Sequence, residues 1–369
     1  MSESASYSFS QQTWKKLKKN KGALFGIVVI GMATILAIFG YWIAPDNSPN
    51  ADLQTVEIQA KKPGYQQQFL TIPIQSKTYS GFFIDHLING KPVNRKYIPI
   101  TGYAIKKDSL LIHKFIDEDT SVLEVFAFSQ LSREAPDDFI KNHLITKTYW
   151  LGTDKFGRDI LSRLIIGTRV SLAVGFIAVL IAVSIGILLG AIAGYYNKRV
   201  DALIMWLVNV TWSIPTLLLV FAITMALGKG FWQIFIAVGL TMWVPVTRLV
   251  RGQVLAVKEL EYITAARALG FSNSRIILRH ILPNIIGPIL VLAASTFATA
   301  IIVEAGLSFL GIGVQPPQPS WGLMIKENYN FLITHNPMLA LIPGFAIMLL
   351  VLAFNLLGNG LRDAVDVKS

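Results

Sequence analysis

Two aspartates five positions apart are the first residues of this chain whose type and spacing could do chemistry. Asp154 and Asp159 stand in the glycine-containing stretch LGTDKFGRDI, and two carboxylates on such a turn could hold a cation. They could instead cap a helix that begins near Asp159 and pair with Arg158 or Arg163. We expect this second role, and we predict no metal site in the chain.

Other residues that could take part in chemistry are few. There is no cysteine, and His86, His113 and His143 are so scattered that we expect ordinary surface histidines. Glu304 ends an apolar segment, where a lipid-facing carboxylate would be costly, so we expect it to face other helices or a watery cavity. A backbone or hydroxyl partner is expected for it ahead of a substrate contact. We predict no catalytic residues.

A polar stretch between two apolar segments, residues 261–284, is predicted to form a helix–turn–helix elbow. A helical pattern runs from residue 246 to 269, and Gly270 follows where a helix commonly ends in a left-handed residue. Ser272 or Asn273 can then cap a second helix.

The two helices of this elbow carry further signals. The second helix is expected to end at Pro283, because proline disfavours helix in the residue before it. The first carries small residues at Ala265, Ala266 and Ala268. This patch would let another surface approach the elbow closely.

Composition places most of the chain in a membrane. Hydrophobic residues make up 53% of the 369 and charged residues 15%, against about 25% in soluble proteins. The net charge of +11 fits basic cytoplasmic loops better than a nucleic-acid surface. Six segments are apolar enough to span a bilayer of about 30 Å: residues 22–44, 169–195, 202–227 (interrupted at Ile214-Pro215), 231–249, 284–303 and 338–357.

Changes in composition divide the chain. Residues 1–21 form a polar tail ending in lysines, and 22–44 a retained first span. Residues 45–150 are predicted to form an inserted α+β domain outside the cytoplasm, followed by a membrane core at 151–369. This core contains a cytoplasmic loop at about 250–283, made of the elbow and the residues that lead into it. Within the insertion we predict four strands and one helix, at residues 69–75, 96–105, 109–116, 121–129 and 137–144.

Basic residues near the span ends predict that both termini are cytoplasmic. This orientation places the elbow and its arginines inside, whereas Lys229 and Lys326 fall outside. Arg158, Arg163 and Arg169 violate the rule, but the opposite orientation violates it more often.

Three strings of the chain resemble those of ABC importer permeases. The pattern GTDxxGRDxxSR resembles the segment before the second span of the C-type permease subunit in dipeptide and oligopeptide importers. EAGLSFLGIG followed by PPQPSWG resembles another segment of that subunit. The elbow resembles the family's EAA loop, with Thr264 and His280 departing from its consensus. The positions concerned are Gly152, Thr153, Asp154, Gly157, Arg158 and Asp159 before span two, and Thr264, Ala265, Ala266, Gly270, His280, Leu282 and Pro283 in the elbow.

The resemblance implies an all-α membrane protein of six transmembrane helices with the type I ABC importer permease fold. It implies a permease in a bacterial inner membrane that pairs with a second permease subunit as a heterodimer. The further partners implied are two cytoplasmic ATPases and an extracytoplasmic peptide-binding protein. ATP and Mg²⁺ would be used by the ATPases, because this chain has no GxxxxGK[ST] loop to hold ATP phosphates.

Three function classes remain open from sequence. A peptide permease fits best, with nickel or another small solute as the alternative substrate within the same branch. A secondary transporter would need an internal repeat or ionisable residues inside the spans, which we do not find beyond Glu304. A membrane-bound enzyme would need a cluster of catalytic residues in the insertion, and no such cluster is evident.

Overall fold

The computed structural model describes residues 9–74, 83–106, 108–131, 135–196, 198–228, 230–333 and 336–365. Its helices are α1 (Phe9–Lys19), α2 (Lys21–Ile43), α3 (Phe83–Asn89), α4 (Phe128–Leu131), α5 (Pro136–His143), α6 (Ile160–Tyr195), α7 (Lys198–Trp212), α8 (Thr216–Leu227), α9 (Phe231–Gly239), α10 (Trp243–Lys258), α11 (Glu261–Ala268), α12 (Asn273–Ile276), α13 (Leu282–Phe309), α14 (Trp321–Asn328) and α15 (Met338–Val365). Its strands are β1 (Tyr65–Pro73), β2 (Arg95–Lys106), β3 (Ser109–Phe115), β4 (Ser121–Ala127) and β5 (Leu144–Tyr149).

Among the described residues, five helical stretches are long and apolar enough to cross a membrane. They are Lys21–Ile43, Ile160–Tyr195, Phe231–Lys258, Asn273–Phe309 and Met338–Val365. The pair α7 and α8 becomes a sixth if it is one span, although the two helices meet at 93°. The break between them falls at the predicted interruption, Ile214-Pro215.

The elements form two compact units. The first comprises Met1–Thr34, Ser171–Gln315 and Phe345–Ser369, and the second Ile35–Val170 and Pro316–Gly344. The first unit therefore holds the elbow, whereas the second holds the sheet and the segment before span two.

Close helix packing in the first unit depends on glycines of α6. A Cβ added at Gly190 would lie 2.7 Å from the Cβ of Val250, and one at Gly194 would lie 2.8 Å from that of Val254. Both valines belong to α10. Since larger residues would push the helices apart, these glycines set the distance between α6 and α10.

The second unit contains a five-stranded antiparallel sheet in the order β4-β3-β2-β1-β5. The four predicted strands are present, but β5 is a strand that the sequence analysis missed. We predicted a helix over residues 137–144; α5 ends at His143, and Leu144 begins β5. The structure pairs β5 with β1, with Phe69 opposite Ile145.

The sheet packs against α5. One face buries Leu70, Ile100, Leu110 and Ile112 with Phe139 of α5. The expectation that the three insertion histidines lie at the surface is wrong for His143, which is 5% exposed. Its ring stacks on Phe139 with the centroids 4.3 Å apart, and its Nδ1 lies 2.8 Å from the carbonyl oxygen of Thr71. A helix end that packs against the sheet thus buries a residue that its polarity alone would place outside.

The basic amino-terminal tail is helical where it is described. Leu17 of α1 is buried against Ala23 and Ala364, and the non-helical residue Asn20 separates α1 from α2. The side-chain oxygen of Asn20 accepts from the N–H of Ala23 at 3.1 Å, and its amide donates to Asp363 at 3.2 Å. These contacts fix the start of the first apolar helix on the end of α15.

Candidate functional site

The elbow is present, but its first helix is divided. We predicted an unbroken helix over residues 246–269; instead α10 ends at Lys258 and α11 begins at Glu261. Leu260 between them is extended, with φ −72° and ψ 143°. Its carbonyl accepts from the N–H of Ile263 at 3.0 Å, so Leu260 starts the new helix without any breaker residue in the sequence.

The turn that follows α11 is built on Gly270, as predicted. Gly270 has φ +77°, in the left-handed region. Its N–H donates to the carbonyl of Arg267 at 3.0 Å, and the N–H of Phe271 donates to that of Ala266 at 3.2 Å. These two bonds define a Schellman motif, in which glycine avoids the steric cost that a Cβ would meet.

The second helix of the elbow starts at the predicted position but does not end as predicted. Ser272 occupies the capping position without a side-chain capping bond, and the Oδ1 of Asn273 accepts from the Tyr195 hydroxyl at 2.9 Å. Pro283 does not end the helix. A π-helical turn at Ile277–Ile281 joins α12 to α13, and such a wide turn accommodates a residue that has no N–H.

His280 braces the elbow from within. Its carbonyl accepts from the side chain of Asn284 at 2.6 Å, and its ring stacks with Phe271 at a centroid distance of 5.8 Å. The guanidinium of Arg275 lies 4.2 Å from the Phe271 ring, and Asn284 also donates to the Tyr262 hydroxyl at 3.0 Å. The turn and both helices are therefore tied together.

The underside of the elbow is a hydrophobic cluster. Its buried members come from α6, α10, both elbow helices and α13: Ala191, Tyr195, Val246, Val250, Val254, Ile263, Ala266, Ile276, Ile281, Ile285 and Ile289. Ala266 is only 5% exposed and Leu282 packs against the cluster, so neither presents itself for docking. The expectation that Ala265, Ala266 and Ala268 form one accessible patch is corrected for Ala266, which shares the inward face of α11 with Ile263.

Tyr195, the last residue of α6, holds the elbow in place and was not found from sequence. Its carbonyl accepts from the Lys258 ammonium at 2.8 Å, and its hydroxyl donates to Asn273. The guanidinium of Arg267 lies 5.9 Å from its ring. A tyrosine at the end of an apolar segment is typical of an interfacial residue, so the sequence did not predict its contacts with the elbow.

The elbow also exposes apolar side chains. Leu269 is 74% exposed and Leu278 64% exposed. We use the term exposed elbow surface for these two leucines together with seven of the other exposed residues of the elbow: Leu260, Tyr262, Thr264, Ala265, Ala268, Gly270 and Pro283. Apolar side chains this exposed on a braced turn are suited to bind a partner.

Glu304 lies near the end of α13 and is fully buried. Its carboxylate accepts from the Ser308 hydroxyl at 2.6 Å, and that hydroxyl oxygen accepts from the N–H of Val314 at 3.0 Å. Gly311, with φ +84°, ends the helix in a second Schellman motif. The expected hydroxyl partner is thus present, and it ties the loop after α13 back onto the helix.

In the second unit, the segment before α6 packs tightly through its glycines. Gly152 has φ +82° and Gly157 φ +72°. A Cβ at Gly152 would collide with the carbonyl oxygen of Lys61, and one at Gly157 with that of Thr55. Thr153 is buried, and its hydroxyl oxygen accepts from the N–H of Lys61 at 2.9 Å.

The two aspartates cap and pair as expected. The Oδ2 of Asp159 accepts from the N–H of Ser162 at 2.9 Å, which caps the first turn of α6. The Oδ1 of Asp154 accepts from the N–H of Arg158 at 3.0 Å, and its Oδ2 pairs with the Arg158 Nε at 2.6 Å. Both oxygens of Asp154 and the Oδ2 of Asp159 are thus engaged in the local structure.

Two buried arginines form an ion cluster with carboxylates that the sequence analysis did not connect to them. Arg158 lies 3.0 Å from Asp52 and 2.6 Å from Glu327, and Arg163 lies 3.4 Å from Glu327. Burial alone would lower the pKa of Arg158, but Asp154 and Glu327 outweigh it and raise the pKa. The cluster therefore holds the segment before α6, the start of the insertion and α14 together.

The long apolar helices, the broken pair and the braced elbow define a multi-span membrane protein. The family model of the binding-protein-dependent transport system inner membrane component matches residues 186–368. The model of the N-terminal TM domain of oligopeptide transport permease C matches residues 8–60.

Three relatives show the extent of the similarity. The dipeptide transport system permease protein DppC of Alkalihalophilus pseudofirmus is 47% identical over 220 residues, which cover 60% of this chain and 72% of that protein. The glutathione transport system permease protein GsiD of Pectobacterium atrosepticum is 44% identical over 223 residues, covering 60% and 74%. The oligopeptide transport system permease protein OppC of Bacillus subtilis is 41% identical over 223 residues, covering 60% and 73%.

The chain belongs to the family of binding-protein-dependent transport system inner membrane components, and is a multi-pass permease of the ABC transporter class. Among solved structures, one of the MetNI methionine ABC transporter has a TM-score of 0.46 and 20% identity, covering 55% of this chain and 96% of that chain.

Proposed function

We propose that this chain is the permease subunit of an ABC importer for dipeptides or oligopeptides and forms half of the translocation pathway. The observation that carries the substrate class is that the relatives named above are dipeptide, oligopeptide and glutathione permeases. Glutathione is itself a tripeptide, so all three substrates share peptide chemistry.

The proposed coupling to ATP hydrolysis runs through the elbow. Its exposed leucines, Leu269 and Leu278, with Ala265 and Ala268, would enter a groove on a cytoplasmic ATPase. The hydrophobic cluster beneath the elbow supports this role, because an elbow held rigid by its packing transmits a displacement that a flexible loop would absorb. The chain itself is proposed to be non-catalytic and to bind no cofactor, leaving ATP and Mg²⁺ to two partner ATPases.

The proposed arrangement has six spans in the type I importer fold, with both termini in the cytoplasm. The insertion of residues 45–150 would lie outside and contact the binding protein or a second, heterodimeric permease. The ion cluster supports this orientation: Arg158 and Arg163 violate the positive-inside rule, but carboxylates neutralise them within the second unit. Lys229, one of the basic residues assigned to the extracytoplasmic side, is not among the described residues.

Growth on peptides tests the substrate class. A strain that lacks this gene and needs exogenous amino acids should fail to grow on defined di- to pentapeptides, and the unmodified gene should restore growth. Free amino acids should support both strains equally. Normal uptake of every peptide combined with loss of nickel uptake would reject the peptide assignment in favour of the nickel alternative.

A further inference from the structure

A cavity of about 210 Å³ in the second unit combines charges of both signs. It lies beside β5 and the start of α6, close to the segment that follows α2. Its lining residues are Pro45, Asp46, Leu53, Lys147, Thr148, Tyr149 and Asp159. None of them belongs to the elbow.

Asp159 brings an acceptor to this cavity that the described protein leaves unused. Its side chain is 5% exposed, and its Oδ2 accepts from the backbone and hydroxyl of Ser162. No described residue donates to its buried Oδ1. Burial raises the pKa of Asp159, with the hydrogen bonds from Ser162 opposing this rise. A buried carboxylate oxygen needs a donor, so a donor from outside the described chain fits here.

Lys147 brings the complementary donor. Its ammonium lies 3.9 Å from the centroid of the Tyr97 ring, and no hydrogen bond or ion pair joins it to another described residue. Burial lowers the pKa of Lys147, while Asp46 and Asp159 oppose the lowering. An ammonium on an aromatic face still has donors left for a ligand.

The second carboxylate is already satisfied. Asp46 accepts from the N–H of Ser48 at 3.0 Å and from the N–H of Leu53 at 3.3 Å. The charged groups left for a ligand among the described lining residues are therefore one carboxylate oxygen, on Asp159, and one ammonium, on Lys147.

We propose that this cavity binds a compact zwitterion of the α-amino-acid class, with its ammonium at Asp159 and its carboxylate at Lys147. A simple cation would be repelled by Lys147, and a simple anion by two carboxylates. The volume is below the roughly 300–1,000 Å³ of drug-sized pockets, which suits a free amino acid rather than a long peptide. The site is separate from the elbow and does not rest on the proposed transport function.

Binding of radiolabelled L-alanine to the purified full-length protein in lipid nanodiscs tests the proposal. Saturable binding of one alanine per chain is expected. L-Alaninamide lacks the carboxylate and N-acetyl-L-alanine lacks the ammonium, so each should compete at least about tenfold more weakly. No saturable binding, or equal competition by either analogue, overturns the zwitterion site.

Two variants locate the binding. Asp159→Asn keeps a good helix cap and Lys147→Met keeps the apolar stem, so both should elute as the unmodified protein does yet bind alanine at least about tenfold more weakly. Lys96→Met, on an exposed position of the same sheet, is the matched control and should bind normally. Alanine binding unchanged in both cavity variants would place the ligand elsewhere and reject the proposal.

Discussion

Replacing Gly270 by valine tests the turn on which the elbow depends. No heavy atom lies within 4 Å of a Cβ built at this position, so the substitution meets no collision and its cost is purely conformational. A β-branched residue at φ +77° is strained by about 1–3 kcal/mol. That strain changes the equilibrium between the native turn and a displaced one by a factor of about 5–150.

The displaced turn should lose the contacts that hold the two helices together. Relaxing φ breaks the bonds from Gly270 to Arg267 and from Phe271 to Ala266. Phe271 would then leave its stack with His280, and the helices would meet at another angle. The exposed elbow surface would no longer fit its groove, although the membrane helices would be intact.

The assay compares membranes that contain equal amounts of each variant. Gly270→Val should lower peptide transport and co-purification of the ATPases together. Gly270→Asn is the control, because asparagine tolerates the left-handed region and should retain most of both. Near-normal transport and ATPase recovery in Gly270→Val would refute the reasoning and leave the elbow a passive connector.

Three further outcomes are expected. Arg158→Met leaves Glu327 buried without its closest cation and should cost about 3–5 kcal/mol, seen as a lower melting temperature; an unchanged melting temperature would count against the ion cluster. Ala266→Asp puts a charge into the hydrophobic cluster and should prevent accumulation of the protein in the membrane. Ala265→Asp, on the exposed elbow surface, should accumulate normally but no longer bind the ATPases. Equal behaviour of the two variants would contradict an inward Ala266 and an outward Ala265. A cysteine at Asp117 should react with an impermeant maleimide in intact spheroplasts, since the chain has no other cysteine, and labelling only after lysis would overturn the proposed topology.

Local signals in the sequence carried the prediction of the turn but not of the break before it. Gly270 was recognisable because only glycine takes a left-handed helix end at no steric cost. Leu260, by contrast, is a good helix former, and nothing in its type predicts the extended conformation that it adopts between α10 and α11.

The direction of a side chain was harder to predict than the helix that carries it. Ala266 is three residues from Ile263, a spacing that places both on one face of α11, and the apolar Ile263 marks that face as inward. The spacing to Ile263 therefore indicated an inward Ala266, but we interpreted the small alanines as a surface for docking. Leu269, outside the matched motif, became a candidate only through its 74% exposure.

Long-range pairings could not be predicted at all. Arg158 and Glu327 are 169 positions apart, and nothing in either sequence segment indicates that the two residues pair. The same holds for β5, whose residues follow a helix directly and become a strand by pairing with β1. Resemblance to a family was informative for the membrane core, yet residues 45–150 had to be understood from strand patterns alone.

ATP-dependent peptide uptake into proteoliposomes tests the central claim most directly. The liposomes would contain this chain, its partner permease and the ATPases, with binding protein and a labelled dipeptide outside. Liposomes with the unmodified chain should accumulate the dipeptide only with ATP. The Leu269→Asp protein should be incorporated in equal amount, but its liposomes should accumulate little dipeptide, because a charge replaces the most exposed apolar side chain of the elbow. Equal uptake by the two proteins, or uptake without ATP, would contradict coupling through this elbow.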